Sequence, residues 1–130
     1  VGTAGTLMGI AKAFKKAKSN CKVIAVEPSS SPILSKGIKG SHNVEGVGLG
    51  FVPNIYDASL VDRVIDIDES KARKTCKDLA RKEGIFCGTS SGMNVAAAIQ
   101  ISKELGPLSR VVTVACDTGL KYLSEGLFDK

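Results

Sequence analysis

Gly2-Thr3-Ala4-Gly5-Thr6-Leu7-Met8-Gly9-Ile10-Ala11-Lys12-Ala13-Phe14-Lys15-Lys16 is followed, six residues on, by Lys22-Val23-Ile24-Ala25-Val26-Glu27. The first stretch is a small-residue turn running into apolar Leu7, Ile10, Ala11, Ala13 and Phe14 at helical spacing, with lysines opposite, which predicts a helix over residues 7–18. The second is short and rich in β-branched residues, the signature of a buried strand. A glycine turn, a helix and a strand in that order set the pattern for the rest of the chain.

Working outward, residues 28–32 are rich in Ser and Pro and read as a loop. Residues 36–53 hold five glycines, Gly37, Gly40, Gly46, Gly48 and Gly50, and form a long irregular segment of the kind that is usually either functional or disordered in a compact domain. Residues 60–67 predict a second strand. Asp68 suits the cap of a helix reaching about Lys82, with Gly84 past its end. Ile85-Phe86-Cys87 predicts a third, very short strand. Gly88-Thr89-Ser90-Ser91-Gly92 then reads as a turn feeding a helix over about 93–105, stopped by Gly106-Pro107. Residues 110–115 predict a fourth strand, and a short terminal helix follows the turn at Asp117-Thr118-Gly119. Alternating strands and helices imply an α/β fold, an open parallel sheet with helices on both faces, in a single domain over residues 1–130. Ligands of such sheets bind beyond the carboxyl ends of the strands, where both glycine turns fall.

Composition narrows the function classes. A formal net charge of +5 raises nucleic acid as a partner, but the lysines and arginines are dispersed over helical surfaces. Aromatics at 5% leave no stacking platform, so no nucleic-acid partner is expected. No apolar run is long enough to span a bilayer, so no membrane partner is expected. The four cysteines, Cys21, Cys76, Cys87 and Cys116, lack C-x-x-C spacing and lie far from the one histidine, His42. No metal site is therefore expected. Each cysteine sits in an apolar stretch and is expected to be a buried, reduced thiol of a cytoplasmic protein, with an organellar copy left open. The start in a glycine turn, without Met or a leader pattern, reads as a cut from something longer.

Two segments have the chemistry of a binding site. Small residues at Gly2, Thr3, Ala4, Gly5 and Thr6 let the backbone approach an anion, and the free amides and helix dipole favour negative charge there. The segment lacks the Gly-Lys-Ser/Thr of a P-loop and the spacing of a dinucleotide fingerprint; a plain helix-capping turn is the alternative. Residues 88–92 repeat the logic, with an ordinary serine cap as the alternative. They also fit G-x-S-x-G letter by letter, but His42 lies upstream of the serine, the wrong order for a hydrolase triad on that elbow.

Together these segments resemble the cysteine synthase (O-acetylserine sulfhydrylase) family of fold-type II pyridoxal-phosphate enzymes, with the large-domain portion of the tryptophan synthase β-like fold. Residues 2–6 look like its Gly-Thr-Gly-Gly-Thr phosphate loop. Gly46-Val47-Gly48-Leu49-Gly50-Phe51-Val52-Pro53 resembles Gly-Ile-Gly-Ala-Gly-Phe-Val-Pro. Glu83-Gly84-Ile85 with residues 88–92 resembles Glu-Gly-Ile with Gly-Ile-Ser-Ser-Gly, and Asp117-Thr118-Gly119-Leu120-Lys121-Tyr122-Leu123-Ser124 resembles Asp-Ser-Gly-Glu-Arg-Tyr-Leu-Ser.

The resemblance implies that Gly2, Thr3, Ala4, Gly5 and Thr6 hold the phosphate of pyridoxal 5'-phosphate and that Ser90 bonds its pyridine nitrogen. Gly46, Gly48 and Gly50 would line the active-site loop. It implies β-replacement of an O-activated serine, O-acetylserine first, with sulfide to give cysteine, in a homodimer that in some members captures a serine acetyltransferase tail. Ala4 departs from a family glycine and would be costly if that residue needs positive φ. Glu45, where the family usually has Gln, leaves a cystathionine β-synthase-like or a serine/threonine dehydratase-like activity open, and a non-catalytic phosphate-binding module is a further alternative. The family's Schiff-base lysine lies upstream of the phosphate loop and no lysine here sits in its motif, so no catalytic residue is expected among these residues and the chain alone is expected to be inert.

Overall fold

The computed structural model describes residues 1–129, which form two compact units, one running from Val1 to Asp66 and one beginning at Ile67. Helix α1 (Gly5–Lys16), strand β1 (Ile24–Pro28), the one-turn helix α2 (Ile33–Lys36) and a 3-10 turn (Ala58–Leu60) belong to the first unit, which ends within strand β2 (Arg63–Ile67). The two strands pair as a parallel sheet, so the α/β expectation holds. Asp62 sets their register: its N–H donates to the Val23 carbonyl at 2.8 Å, and its carboxylate accepts from the Val23 N–H at 2.8 Å and the Lys22 ammonium at 2.9 Å. Ala4, Met8 and Ala11 bury against Val23, with Leu7, Phe14, Tyr56 and Leu60 closing the cluster. On β2, buried Ile65 and Ile67 flank exposed Asp66, the alternation of a strand with one covered face.

In the second unit, Asp68 caps helix α3 (Glu69–Asp78) by accepting from the Ser70 N–H at 2.8 Å. The helix widens into a π turn (Leu79–Glu83) and ends at Gly84, whose φ of 68° is the left-handed cap expected of a glycine. Helix α4 (Thr89–Leu105) packs on α3 through small residues. A side-chain carbon at Gly92 would overlap the Ala72 carbonyl and the Cys76 sulfur. A separate cluster joins Cys76, Cys87, Tyr122 and Leu127, with Phe128 stacked near Phe86. No helix among the described residues is long and apolar enough to cross a membrane.

Five expectations are corrected. The third strand contracts to one antiparallel bridge, Cys87 to Thr118, and residues 110–115 form no ladder among the described residues. A β-branched run becomes a strand only where a neighbouring strand takes its backbone bonds, and Val112 remains 84% exposed. Helix α4 begins at Thr89, not near Met93, because residues 89–92 already adopt its first turn; the terminal segment Gly119–Glu125 is 3-10. Finally, Cys76 and Cys87 are buried, but Cys21 and Cys116 are exposed.

Candidate functional site

Residues 2–6 occupy the entry of α1. Ala4 takes the N-cap position at φ 67°, ψ 4°, so the left-handed conformation anticipated for a glycine is adopted by an alanine. Its strain, on the order of 1 kcal/mol, is offset in part because the methyl lies in the unit's core. The helix has no side-chain cap, which disfavours the plain capping reading. The first intrahelical acceptor in use is the Ala4 carbonyl, bonded by the Met8 N–H at 2.9 Å. Among the described residues, the N–H groups of residues 3–7 and the hydroxyls of Thr3 and Thr6 meet no acceptor, and Thr3, Gly5 and Thr6 are exposed. Several donors converging on a helix start with no acceptor of their own suit an anionic oxygen cluster such as a phosphate.

The glycine-rich loop closes on this turn within the same unit. Gly2 lies directly against the Gly46 carbonyl, and the Gly48 N–H donates to the Val1 carbonyl at 3.0 Å. Gly46, Gly48 and Gly50 all have positive φ, at 74°, 59° and 77°. His42 holds the loop: Nε2 donates to the Gly48 carbonyl at 3.0 Å while Nδ1 accepts from the Val44 N–H at 3.3 Å. Buried Glu27 accepts from the Leu34 N–H at 2.7 Å, the Ser35 N–H at 3.1 Å and the Ser35 hydroxyl at 2.5 Å. A small cleft here is lined by Gly2, Glu27, Gly48, Leu49 and Phe51. Burial, and then the charge of Glu27, raises the Tyr56 hydroxyl above its usual pKa. Sequence reasoning overlooked both anchors. Their signals were a carboxylate closing an apolar strand and a lone histidine six residues ahead of Gly48.

Ser90 belongs to the other unit, in the first turn of α4. Gly88 is the N-cap and no side chain caps the helix, so Ser90 is not serving as an ordinary cap. Ser90 is 7% exposed and its hydroxyl makes no hydrogen bond among the described residues; since no fully buried side-chain oxygen among them lacks a partner, this oxygen keeps contact with solvent and is accessible to a ligand. Ser91 points into the protein, accepting from the Cys116 N–H at 2.8 Å and donating to the Asp117 carboxylate at 3.4 Å. Burial pushes the neighbouring Cys76 thiol up to about 12 and raises Cys87 as well, so neither is a ready nucleophile.

A family model described as pyridoxal-phosphate dependent enzyme matches residues 1–117. A cysteine synthase of Staphylococcus aureus is 42% identical over 128 residues, 98% of this chain and 41% of that protein. The crystal structure of a cysteine synthase from Entamoeba histolytica superposes with a TM-score of 0.92 at 36% identity, covering 100% of this chain and 39% of the other. An O-acetylserine dependent cystathionine beta-synthase from Helicobacter pylori reaches a TM-score of 0.91 at 33% identity, over 98% of this chain and 42% of its own. The chain thus spans about two fifths of the length of these relatives.

Proposed function

This chain belongs to the pyridoxal-phosphate dependent enzyme family, and from that premise we propose that the whole protein replaces the activated hydroxyl of O-acetylserine with sulfide to make cysteine. The observation that carries this reading is the set of unpaired amide and hydroxyl donors at the start of α1, which fits the phosphate of pyridoxal 5'-phosphate. Similarity to a cysteine synthase along 98% of the chain supports the reaction class. On this reading the 130 residues are the C-terminal, phosphate-binding part of a longer enzyme, and the lysine that anchors the cofactor comes from upstream.

When bound, the cofactor supplies an electron sink for the substrate's α-carbon. Gly2, Thr3, Ala4, Gly5 and Thr6 hold its phosphate with neutral donors and the helix dipole. Ser90 gives the ring nitrogen a hydrogen bond but no ion pair, which suits elimination of a β-substituent followed by addition of a sulfur nucleophile. The loop of Gly46, Gly48 and Gly50 brings bare backbone to the pocket wall, allowing close approach of the substrate. A cytoplasmic homodimer, with a serine acetyltransferase as an additional partner, completes the reading.

A second activity is favoured by one observation: the O-acetylserine dependent cystathionine beta-synthase matches the same segment with a TM-score of 0.91. The test is to incubate the full-length protein with O-acetylserine and either sulfide or homocysteine and to identify products by mass spectrometry. Cysteine from sulfide supports the first reading and cystathionine from homocysteine the second. Absence of both overturns them.

A further inference from the structure

The turn that presents Ser90 is built from both sides by the segment around Asp117. The Asp117 carbonyl accepts from the Gly88 N–H at 3.3 Å, Cys87 bridges to Thr118, and the Gly119 N–H donates to the Phe86 carbonyl at 3.1 Å. The Asp117 side chain reaches back over the same turn. Its Oδ1 takes the Ser91 hydroxyl at 3.4 Å and its Oδ2 takes the Tyr122 hydroxyl at 2.5 Å, with Tyr122 only 2% exposed. Gly88 tolerates this because it has no side chain: a Cβ there would overlap the Asp117 carboxylate and the Tyr122 ring. Residues 88 and 91, on either side of Ser90, are thus each tied to one carboxylate or its backbone. Successive helical side chains point about 100° apart, so fixing Ser91 inward sets the direction in which Ser90 points.

We propose that Asp117, locked by Tyr122, is the positioning residue that aims the Ser90 hydroxyl at the cofactor's ring nitrogen. This rests on the role of Ser90 given above. Asp117 touches neither substrate nor cofactor on this account. It acts by holding the turn, and its carboxylate is matched to two hydroxyl donors that an amide would satisfy less well, since an amide nitrogen has no lone pair to offer them.

The experiment compares Asp117→Asn, Asp117→Ala, Tyr122→Phe and Ser90→Ala in the full-length holoenzyme, reading the absorption and fluorescence bands of the bound cofactor together with kcat and KM. Expected is a band shift in Ser90→Ala that is reproduced in direction by Asp117→Ala and, more weakly, by Asp117→Asn and Tyr122→Phe. A fall in kcat of tenfold or more should accompany Asp117→Ala, with KM for the amino-acid substrate within about threefold. A shift in Ser90→Ala with unaltered bands in all three other variants overturns the positioning role and leaves Ser90's role standing. Unaltered bands in Ser90→Ala overturn the role of Ser90 and the positioning role with it. Should Asp117→Ala not fold, Asp117→Asn and Tyr122→Phe, both nearly isosteric, decide the matter by the same bands.

Discussion

Gly2 and Gly46 meet backbone to backbone, with the carbonyl of Gly46 occupying the space that a side-chain carbon on Gly2 would need. Contact between residues 44 positions apart ties the turn at residues 2–6 to the glycine-rich loop. Replacement Gly2→Ala forces that carbonyl away. Overpacking of this kind costs about 1–3 kcal/mol, and the turn's amides lose their alignment. The expected outcome is at least tenfold weaker pyridoxal-phosphate binding in the full-length protein, measured by titration of the apoenzyme, with a lower unfolding midpoint in urea.

Two helical glycines should respond to alanine in opposite ways. Gly9, on the exposed face of α1, has open space within 4 Å of where a side-chain carbon would sit. Removing its conformational freedom in the unfolded chain should stabilise the protein by about 0.5–1 kcal/mol. Gly92→Ala, which drives a methyl into the Ala72 carbonyl and the Cys76 sulfur, should destabilise it by about 1–3 kcal/mol. Denaturant melts of both variants check the signs; equal effects would show that helix propensity alone governs these positions.

The thiols divide by burial. Cys21 and Cys116 are exposed, while Cys76 and Cys87 are buried, with Cys76 pushed up to about 12. At pH 8 only about one Cys76 in ten thousand would be thiolate, the reactive form. Alkylation of the native chain should therefore label Cys21 and Cys116 at least a hundredfold faster than the buried pair, and unfolding should equalise all four. Peptide mapping by mass spectrometry reads the result.

Asp62 should confer acid sensitivity. Its bond from the Val23 N–H, and secondarily that from Lys22, holds its carboxyl below the usual carboxylate range. A group with a lowered folded pKa contributes stability that is present above its unfolded value, about 3.9, and is lost as pH falls through the folded one. Asp62→Asn should therefore be less stable than the parent at pH 6, with the gap narrowing as pH falls from about 4 toward 2. A gap constant across that range in urea melts would show that the carboxylate's charge contributes nothing there.

The sequence by itself determined what depends on near neighbours: the cap at Asp68, the left-handed stop at Gly84, the buried face of α3, and the small-residue turn at residues 2–6. These rest on backbone conformation and side-chain periodicity, which a few consecutive residues set. Tertiary structure decided the rest. Residues 110–115 have the composition of a strand but no ladder among the described residues, because a strand is completed by distant backbone. Ala4 takes a glycine's conformation with its methyl buried in a core assembled from residues as far away as Val61. Cys21 and Cys116 have apolar surroundings in sequence and solvent in space. The same holds for Asp117 behind Ser90 and His42 across Gly48. Each is fixed by hydrogen bonds and excluded volume that exist only once separated segments are brought together.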